Sequence, residues 1–549
     1  MDLSFHWPHP RYTTPIGEVS FRIHSFENVY GIDPTNASVE MTPDGTTRIY
    51  SDGLTWAGGQ EASVGSMTIE ISPTASGVEV RIHGEQADGI RSIGMTIHDT
   101  PVGQITGVRE GSLDIPAGGR ILGYPNGWFD LASPFFAVER EGDELLIVRS
   151  LDNRPRPKTF AFIPHFQDET VMDIDLLVEA EATRPSAVFD APTWIVERSA
   201  SVIAARSEHR ALLDAVYEVE PWEERSDVPD WMREKSLVLT LHGRHFTGRT
   251  FLDYARMLDQ IRRIAKQIDG ERILAYLPGW EGRYYRWYGR YDTDPSLGGD
   301  DGFYRLIEEA RQLGAHVMPM FGANVASRDV PGFERWGEPG LLRRPSGLIN
   351  AGSVDWDGSR HYDHGSGGLI NPAYKPWRAH LVEQIASLHD RFGFDATFLD
   401  ISAMHSNDPN GDTTEGLRCL IDELHAAMPG HLIAGEGWFD AVRGIVPLVQ
   451  VGHHDTILVY HDLPDEELFT RTNRSFGHVC LGDPAHGSSG VHEAGYVAAW
   501  RLPVRQGIIP TIGIVEDTLE VAPDRVAQIV GDAHEYADRF IRAPAALLV

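Results

Sequence analysis

The sequence predicts two domains, an N-terminal β-sandwich followed by a (β/α)8 TIM barrel. Three observations favour this fold class: the length of the chain, the alternation of apolar residues in its first part, and the succession of strands and helices in its second part. A chain of 549 residues is too long for a single hydrophobic core, so two or more domains are expected. We expect the β-sandwich over residues 1–200, a joint over 201–235 and the catalytic barrel over 236–549.

The first 200 residues show the period-two alternation of β-strands and lack helical periodicity. Apolar residues alternate over Met67–Ile71 and again over Val78–Ile82, on either side of a turn at Pro73–Gly77. Leu145–Val148 and Val171–Val178 are further candidate strands. Several strands without intervening helices are typical of a β-sandwich.

From Ser236 onward, short apolar strands alternate with amphipathic helices such as Phe251–Ile268. The first five strands are expected at Leu237–Leu241, Ile273–Leu277, His316–Phe321, Ala396–Leu399 and His431–Ala434. Strands six to eight are expected among Ile445–Val451, Gly477–Leu481 and Ile508–Ile514. Repeated β/α units of this length favour a barrel over an open sheet. No G-x-G-x-x-G follows a strand, so a dinucleotide-binding fold has no support.

Composition excludes several classes of partner. The net charge of −32 argues against binding to nucleic acid or to an anionic membrane. No apolar run reaches the length of a membrane span, and the first residues lack the basic and apolar regions of a signal peptide. The two cysteines, Cys419 and Cys480, are too few for a disulfide framework. These features predict a cytoplasmic protein, whereas the oligomeric state is not predictable.

Two carboxylates follow successive strands of the predicted barrel. Asp400 ends strand four, and Glu436 ends strand five 36 residues later, which is about the length of one β/α repeat. Because catalytic groups converge at the carboxyl ends of barrel strands, we expect both carboxylates to face one cavity. Two carboxyl groups that face one cavity are the smallest set of catalytic residues that cleaves a glycosidic bond. A separation of about 5–5.5 Å between them would indicate that the configuration of the anomeric carbon is retained. The alternative is that each residue only caps the helix that follows it.

Candidate substrate-binding residues lie after other strands. The loop after strand two is rich in aromatic and acidic residues, whose rings and oxygens suit a sugar, and it supplies Trp280, Glu281, Asp292 and Asp294. The alternative is that its rings form a small core that holds the loop. The other candidates are His242 after strand one, Asn324 after strand three, His405 beyond Asp400, and His454 with Asp455 after strand six. His242 and Asn324 can instead be structural turn formers, and His405 can instead cap a loop.

No metal site or cofactor is predicted. His453, His454 and Asp455 are adjacent, and neighbouring residues of an extended chain point in opposite directions, so they rarely bind one ion together. The H-E-x-x-H pattern of zinc hydrolases and the G-x-S-x-G pattern of serine hydrolases are both absent.

The order of Asp400 in FLDIS and Glu436 in AGEGW resembles that of the retaining α-glycosidase barrels, which include the α-amylase group and the endo-α-N-acetylgalactosaminidases. This resemblance implies that Asp400 is the nucleophile and Glu436 the acid/base. Residues 235–515 are also similar to an uncharacterised group of glycoside-hydrolase-like bacterial proteins. The passages that carry this similarity are LPGWEGRYYRWY, LGGDDGFYRLIEEARQLGAHVMPMFGAN, INPAYKPWR and IAGEGW. The Asn-His-Asp triplet of the α-amylase group is only partly matched, by His454-Asp455.

The sequence therefore predicts a retaining glycoside hydrolase that acts on an α-linked glycoside. Two alternatives stay open: a catalytically silent sugar-binding barrel, because fold does not fix function, and a metal-dependent barrel hydrolase.

Overall fold

The computed structural model describes residues 3–5, 9–56, 59–106, 112–125, 131–139, 145–245, 248–282, 287–349, 367–451, 471–477 and 508–542. The chain divides into two compact units. The first comprises residues 1–218 and 439–441, and the second comprises residues 219–438 and 442–549.

The first unit is built on antiparallel β-structure. In the described residues its strands join into one 18-stranded sheet. Rings of Phe136, Phe160 and Trp194 meet edge to face in its core, with centroids 5.3 and 5.8 Å apart. The strands are Leu3–Phe5, Pro10–Thr14, Gly17–Ser25, Val29–Ile32, Ala37–Met41, Thr47–Trp56, Glu61–Pro73, Gly77–Gln86, Ile90–Pro101, Gln104–Thr106, Ser112–Leu113, Arg120–Tyr124, Phe135–Glu139, Leu145–Leu151, Lys158–Pro164, Val171–Glu179, Val188–Asp190 and Thr193–Ser199. The predicted β-rich domain is confirmed, and its arrangement as a sandwich stays a prediction.

The second unit contains a parallel sheet of barrel type. Its first seven strands are Leu237–Leu241, Ile273–Leu277, His316–Gly322, Ala396–Asp400, Leu432–Glu436, Leu448–Val451 and Arg474–Gly477. Strand eight has two segments, Ile508–Ile509 and Thr511–Ile514. The first segment pairs with strand seven and the second with strand one, so the sheet returns to its starting strand.

Strand eight is divided because Pro510 lies within it. Proline has no backbone N–H and therefore interrupts a ladder of hydrogen bonds. The Pro510 carbonyl still accepts a hydrogen bond of 2.9 Å from the N–H of Val238 on strand one. The local sequence thus divides the strand into two segments, and its neighbours on both sides stay paired.

Helices connect the early barrel strands. They are Asp230–Arg233, Tyr254–Ile264, Gly299–Gln312, Phe333–Trp336, Lys375–Phe392 and Thr413–Ala427 in the region up to strand five, and Thr518–Val521 and Pro523–Tyr536 after strand eight. Val202–Val216 is a helix of the first unit. A short antiparallel pair, Val325–Ser327 with Gly367–Leu369, lies between strands three and four. Among the described residues, no helix has both the length and the apolar character needed to cross a membrane.

The predicted strands one to five are confirmed within two residues at each end. Strand seven is described at Arg474–Gly477, so it begins three residues before the predicted start at Gly477, and positions 478–481 of the prediction lie outside the described residues. The error has a physical cause: buried Arg474 places its guanidinium 4.4 Å from the ring centre of Trp222, so a charged residue occupies a position where periodicity expects an apolar one. The helix after strand one is shorter than predicted, since the Asp253 side chain accepts a hydrogen bond from the N–H of Arg256 and starts it there.

Candidate active site

Asp400, Glu436 and Gln450 form a row across barrel strands four, five and six. Residues that pair directly in a parallel sheet point to the same side, and Glu436 is paired with Gln450. Leu399 is paired with Gly435, so the next residues, Asp400 and Glu436, are neighbours in the same ladder. All three side chains are buried. The predicted convergence of Asp400 and Glu436 is therefore present in the structure.

The two carboxyl groups touch. Glu436 donates a hydrogen bond to Asp400, and burial together with the negative charge of Asp400 raises the pKa of Glu436 well above its usual range. Burial also raises the pKa of Asp400, against the opposing effect of the hydrogen bonds that it accepts. Glu436 is thus the partner that keeps the proton. This direct contact is shorter than the expected 5–5.5 Å, because in a water-poor site two adjacent carboxyl groups are most stable when they share one proton.

Tyr288 is a site residue that the sequence prediction missed. Its buried hydroxyl donates a hydrogen bond of 2.9 Å to Oδ2 of Asp400. The ring approaches strand three so closely that a Cβ at Gly322 would lie 2.4 Å from a ring carbon, which explains the glycine at that position. Gly322 pairs with Asp400 in the ladder, so the glycine opens the space through which the tyrosine reaches the carboxylate. Spacing along the chain gave no signal for this contact between residues 112 positions apart.

The turn after strand four directs a second donor into the site. Ile401 has φ = 58°, a left-handed conformation that is a genuine outlier for a β-branched residue. Its N–H donates a hydrogen bond of 2.8 Å to Oε2 of Glu436, and it also acts on the Asp400 carboxylate, whose pKa it lowers. Such strain persists only where the surrounding structure enforces it, and it is concentrated at functional sites.

Ser402 and Asn324 hold this strained turn. The Ser402 hydroxyl accepts a hydrogen bond of 2.9 Å from the N–H of Glu436 and donates one of 3.2 Å to its carbonyl. A Cβ on Gly435 would lie 2.3 Å from that hydroxyl, so the glycine is required for the close approach. The Asn324 amide donates a hydrogen bond of 2.9 Å to the carbonyl of Ile401. The structure therefore ties Asn324 to the turn through its amide N–H, and its predicted contact with substrate stays a prediction.

Trp280 is a core residue, and the expectation that its ring stacks on a sugar is not supported. The side chain is completely buried. Its ring stacks on Phe303 at 4.8 Å and meets Phe321 edge to face at 5.6 Å. Its indole N–H donates a hydrogen bond of 3.0 Å to the carbonyl of Met320. Because protein atoms cover both faces and the polar edge, no part of the indole is exposed to a ligand.

The two aspartates of the same loop also have structural partners. Asp292 is exposed and forms an ion pair of 3.3 Å with Arg391 at the end of helix Lys375–Phe392. Asp294 accepts hydrogen bonds of 2.7 and 2.5 Å from the N–H and hydroxyl of Ser296, and so caps a short 3-10 helix. These contacts give both carboxylates a structural partner, and their predicted contact with substrate stays a prediction.

Glu281 acts electrostatically on Tyr291, a residue that Asp400 also influences. It is buried, and its charge acts together with that of Asp400 on Tyr291, whose pKa is raised mainly by burial. The Tyr291 hydroxyl oxygen accepts a hydrogen bond of 2.8 Å from the N–H of Gly322, the glycine that pairs with Asp400. Among the candidates in this loop, Glu281 is therefore the one that shares an electrostatic neighbour, Tyr291, with Asp400.

The remaining candidates differ in their surroundings. His242 follows strand one, is buried, and meets Phe251 edge to face at 6.1 Å. His405 contacts the hydroxyl of Thr414 at 3.1 Å and so ties its loop to the start of helix Thr413–Ala427. His454 and Asp455 lie outside the described residues.

One group of possible metal ligands occurs among the described residues, in the first unit. Asp99, His165 and Asp173 bring their ligand atoms within 4.8 Å of one another. Arg11 already forms an ion pair of 2.6 Å with Asp99, and His165 contacts Asp173 at 2.9 Å. These internal contacts explain the cluster without an ion.

Comparisons with known proteins give structural neighbours only. No family model matches the chain, and no curated protein matches its sequence. Among solved structures, the chain is similar to the α-N-acetylgalactosaminidase NagBb of Bifidobacterium bifidum, with a TM-score of 0.65 at 13% identity over 96% of this chain and 93% of that one. It is also similar to the GH36 α-galactosidase AgaA of Geobacillus stearothermophilus, with a TM-score of 0.51 at 11% identity over 94% of this chain and 75% of that one. At these identities the similarity shows that the fold is shared with glycoside hydrolases.

Proposed function

We propose that this protein is a glycoside hydrolase that cleaves an α-linked glycoside and retains the configuration of the anomeric carbon. The observation that carries this proposal is the buried, hydrogen-bonded pair Asp400–Glu436 at the ends of two adjacent barrel strands. The shared fold adds support, since the neighbours are named as an α-N-acetylgalactosaminidase and an α-galactosidase. Their structures include complexes with GalNAc and with stachyose, which supports a carbohydrate substrate.

In this proposal Asp400 is the nucleophile. A nucleophilic carboxylate must be ionised, and donors around it favour the ionised form. Asp400 accepts hydrogen bonds from Tyr288 and from Glu436, and the backbone N–H of Ile401 acts in the same direction. Its oxygen attacks the anomeric carbon, the glycosidic bond breaks, and a covalent glycosyl–enzyme results. Water then releases the sugar by a second displacement, which restores the original configuration.

Glu436 is the proposed general acid/base. It enters the reaction protonated, since the charge of Asp400 and burial both raise its pKa. Its proton passes to the oxygen of the leaving group as the bond breaks. Once Asp400 is glycosylated its charge is gone, so Glu436 becomes more acidic and can take a proton from the incoming water. For this role the hydrogen bond to Asp400 must break when substrate enters, because a sugar cannot fit between touching carboxyl groups.

That requirement favours a second assignment of the proton donor. Glu436 can instead stay in contact with Asp400 and position it, while Glu281 or Asp455 donates the proton. Glu281 is buried and acts on the same tyrosine as Asp400, and Asp455 follows barrel strand six in the sequence. Both assignments keep Asp400 as the nucleophile, so kinetics of single variants separate them.

A screen of aryl α- and β-glycosides tests the proposed function. We expect the wild-type protein to hydrolyse at least one α-glycoside, with the α-anomer as the first product seen by NMR. Asp400→Ala should lose about 10⁴-fold or more in kcat, and circular dichroism should show that it remains folded. Sugar binding without hydrolysis of any glycoside would establish the silent sugar-binding alternative. Loss of activity on treatment with a chelator would favour the metal-dependent alternative.

A further inference from the structure

Gln450 lies beside Glu436 on the side opposite to Asp400. The two residues are directly paired between strands five and six, which are about 4.8 Å apart in a β-sheet. Gln450 is also paired with Phe476, whose ring meets those of Tyr276 and Phe398 inside the barrel. Since paired residues point to the same side, the Gln450 amide faces the barrel interior together with Glu436.

The Gln450 side chain is buried and chemically unused. Only 2% of it is exposed, and neither its Oε1 nor its Nε2 has a hydrogen-bond partner among the described residues. Its backbone carbonyl, in contrast, accepts a hydrogen bond of 2.8 Å from the N–H of Gly437. Buried polar groups are nearly always hydrogen-bonded in folded proteins, and each exception calls for an explanation.

The rest of the row shows what kind of partner would fit. Asp400 and Glu436 are already engaged with Tyr288, with Ile401 and with each other. A row that already holds two adjacent carboxyl groups disfavours an anionic ligand and favours a neutral one that carries hydroxyl groups. A primary amide offers one acceptor and one donating group side by side, which matches two adjacent hydroxyl groups of a sugar ring.

We propose that Gln450 binds two adjacent hydroxyl groups of the sugar that lies against Asp400, with Nε2 donating to one hydroxyl and Oε1 accepting from the other. This inference rests on the proposed function, because it assumes a sugar in the row. It makes Gln450 a specificity-determining residue: the enzyme distinguishes sugars by whether they present this pair of hydroxyl groups. The cost of a buried amide that has no partner in the described part of the chain is then explained by the ligand that satisfies it.

The test uses Gln450→Met, which keeps the length of the side chain and removes both polar atoms. Ser475→Ala is the matched control, since it removes another buried polar group, a hydroxyl that has no hydrogen-bond partner in the part of the chain that the structure describes. Ser475 lies on the adjacent strand, one residue before the inward-facing Phe476. Melting temperatures of the free proteins and binding of galactose, glucose, mannose and N-acetylgalactosamine by calorimetry are measured for wild type and both variants. Monodeoxy analogues of the best-bound sugar complete the set.

We expect Gln450→Met to melt at a higher temperature than the wild type and to bind the best sugar about tenfold more weakly, the effect of about 1.4 kcal/mol of lost hydrogen bonding. Deoxy analogues that lack the recognised hydroxyls should bind wild type and variant equally, and Ser475→Ala should bind like the wild type. Unchanged sugar affinity, an equal loss for every analogue, a lower melting temperature, or a wild type that binds none of the sugars would each overturn the inference.

Binding needs no turnover, so a wild type that binds sugar but hydrolyses no glycoside would refute the proposed function and leave the role of Gln450 standing. A wild type that hydrolyses a glycoside, together with a Gln450→Met variant of unchanged kcat/KM, would support the proposed function and refute the role of Gln450.

Discussion

Glu436 donates a hydrogen bond to Asp400, its neighbour across the parallel ladder between barrel strands four and five. The pair is buried, and the turn at Ile401 and the hydroxyl of Tyr288 supply donors from two other directions. One proton shared by two carboxyl groups gives them different charges, and this difference is what a nucleophile and an acid require.

The first prediction separates the two proton-donor assignments. If Glu436 is the acid/base, Glu436→Ala should strongly lower the rate of hydrolysis of glycosides with poor leaving groups. The rate of the first step should change little for activated aryl glycosides, because their leaving groups need little protonation. Added azide should then accelerate turnover and give a glycosyl azide with the configuration of the substrate. Release of aglycone and the mass and NMR spectrum of the product are the measurements. Full activity of Glu436→Ala on an unactivated disaccharide would move the acid role to Glu281 or Asp455, whose alanine variants serve as the comparison.

The second prediction concerns the donor on the nucleophile. Tyr288→Phe removes the hydrogen bond of 2.9 Å to Asp400. Since that bond favours the ionised carboxylate, its loss should raise the pKa of Asp400. The acidic limb of the kcat/KM profile should therefore move to higher pH. Tyr291→Phe is the control, because the Tyr291 oxygen accepts a hydrogen bond from Gly322. A profile of Tyr288→Phe that matches the wild type would separate Tyr288 from the ionisation of Asp400.

The third prediction concerns the pH dependence of stability. The folded protein holds a proton on Glu436 at pH values where the unfolded chain, with a pKa of about 4.3, has released it. Folded protein then binds more protons than unfolded protein, so the contribution of Glu436 to stability falls as pH rises above about 4.3. Glu436→Gln keeps a donor toward Asp400 and cannot ionise.

The Glu436→Gln variant should therefore match the wild type near pH 4 and exceed it in the free energy of unfolding at pH 7. Urea unfolding at several pH values measures this difference. Glu535→Gln, a change at an exposed position in the helix Pro523–Tyr536, is the control. A difference between wild type and Glu436→Gln that is constant with pH would contradict the raised pKa.

The fourth prediction tests the new role of Trp280. Trp280→Ala should lower the free energy of unfolding by about 3–5 kcal/mol, because it empties a fully buried site between Phe303 and Phe321. Asp292→Asn, an exposed change in the same loop, should stay within about 0.5 kcal/mol. Chemical denaturation measures both. A Trp280→Ala variant with wild-type stability and a raised KM would contradict the core role and support the predicted contact of Trp280 with substrate.

Strand ends were predictable where local pattern and burial agree. Strands one to five are short apolar runs between amphipathic helices, and the carboxylates that end strands four and five stood out because they interrupt those runs. The start of strand seven was predicted three residues too late, because buried Arg474 occupies a position where periodicity expects an apolar residue.

The sequence by itself determined the alternating strands and helices of the barrel and the convergence of Asp400 and Glu436, since both follow from periodicity and from the common direction of parallel strands. Only the tertiary structure decided which ring of the aromatic loop serves the site. Trp280 and Tyr288 have similar chemistry in the sequence, yet Trp280 is enclosed by Phe303 and Phe321, and Tyr288 reaches Asp400 past Gly322. The same holds for the hydrogen bond between the two carboxyl groups and for the position of Gln450 in their row. These relationships depend on distances between residues far apart in the chain, and no local pattern encodes such distances.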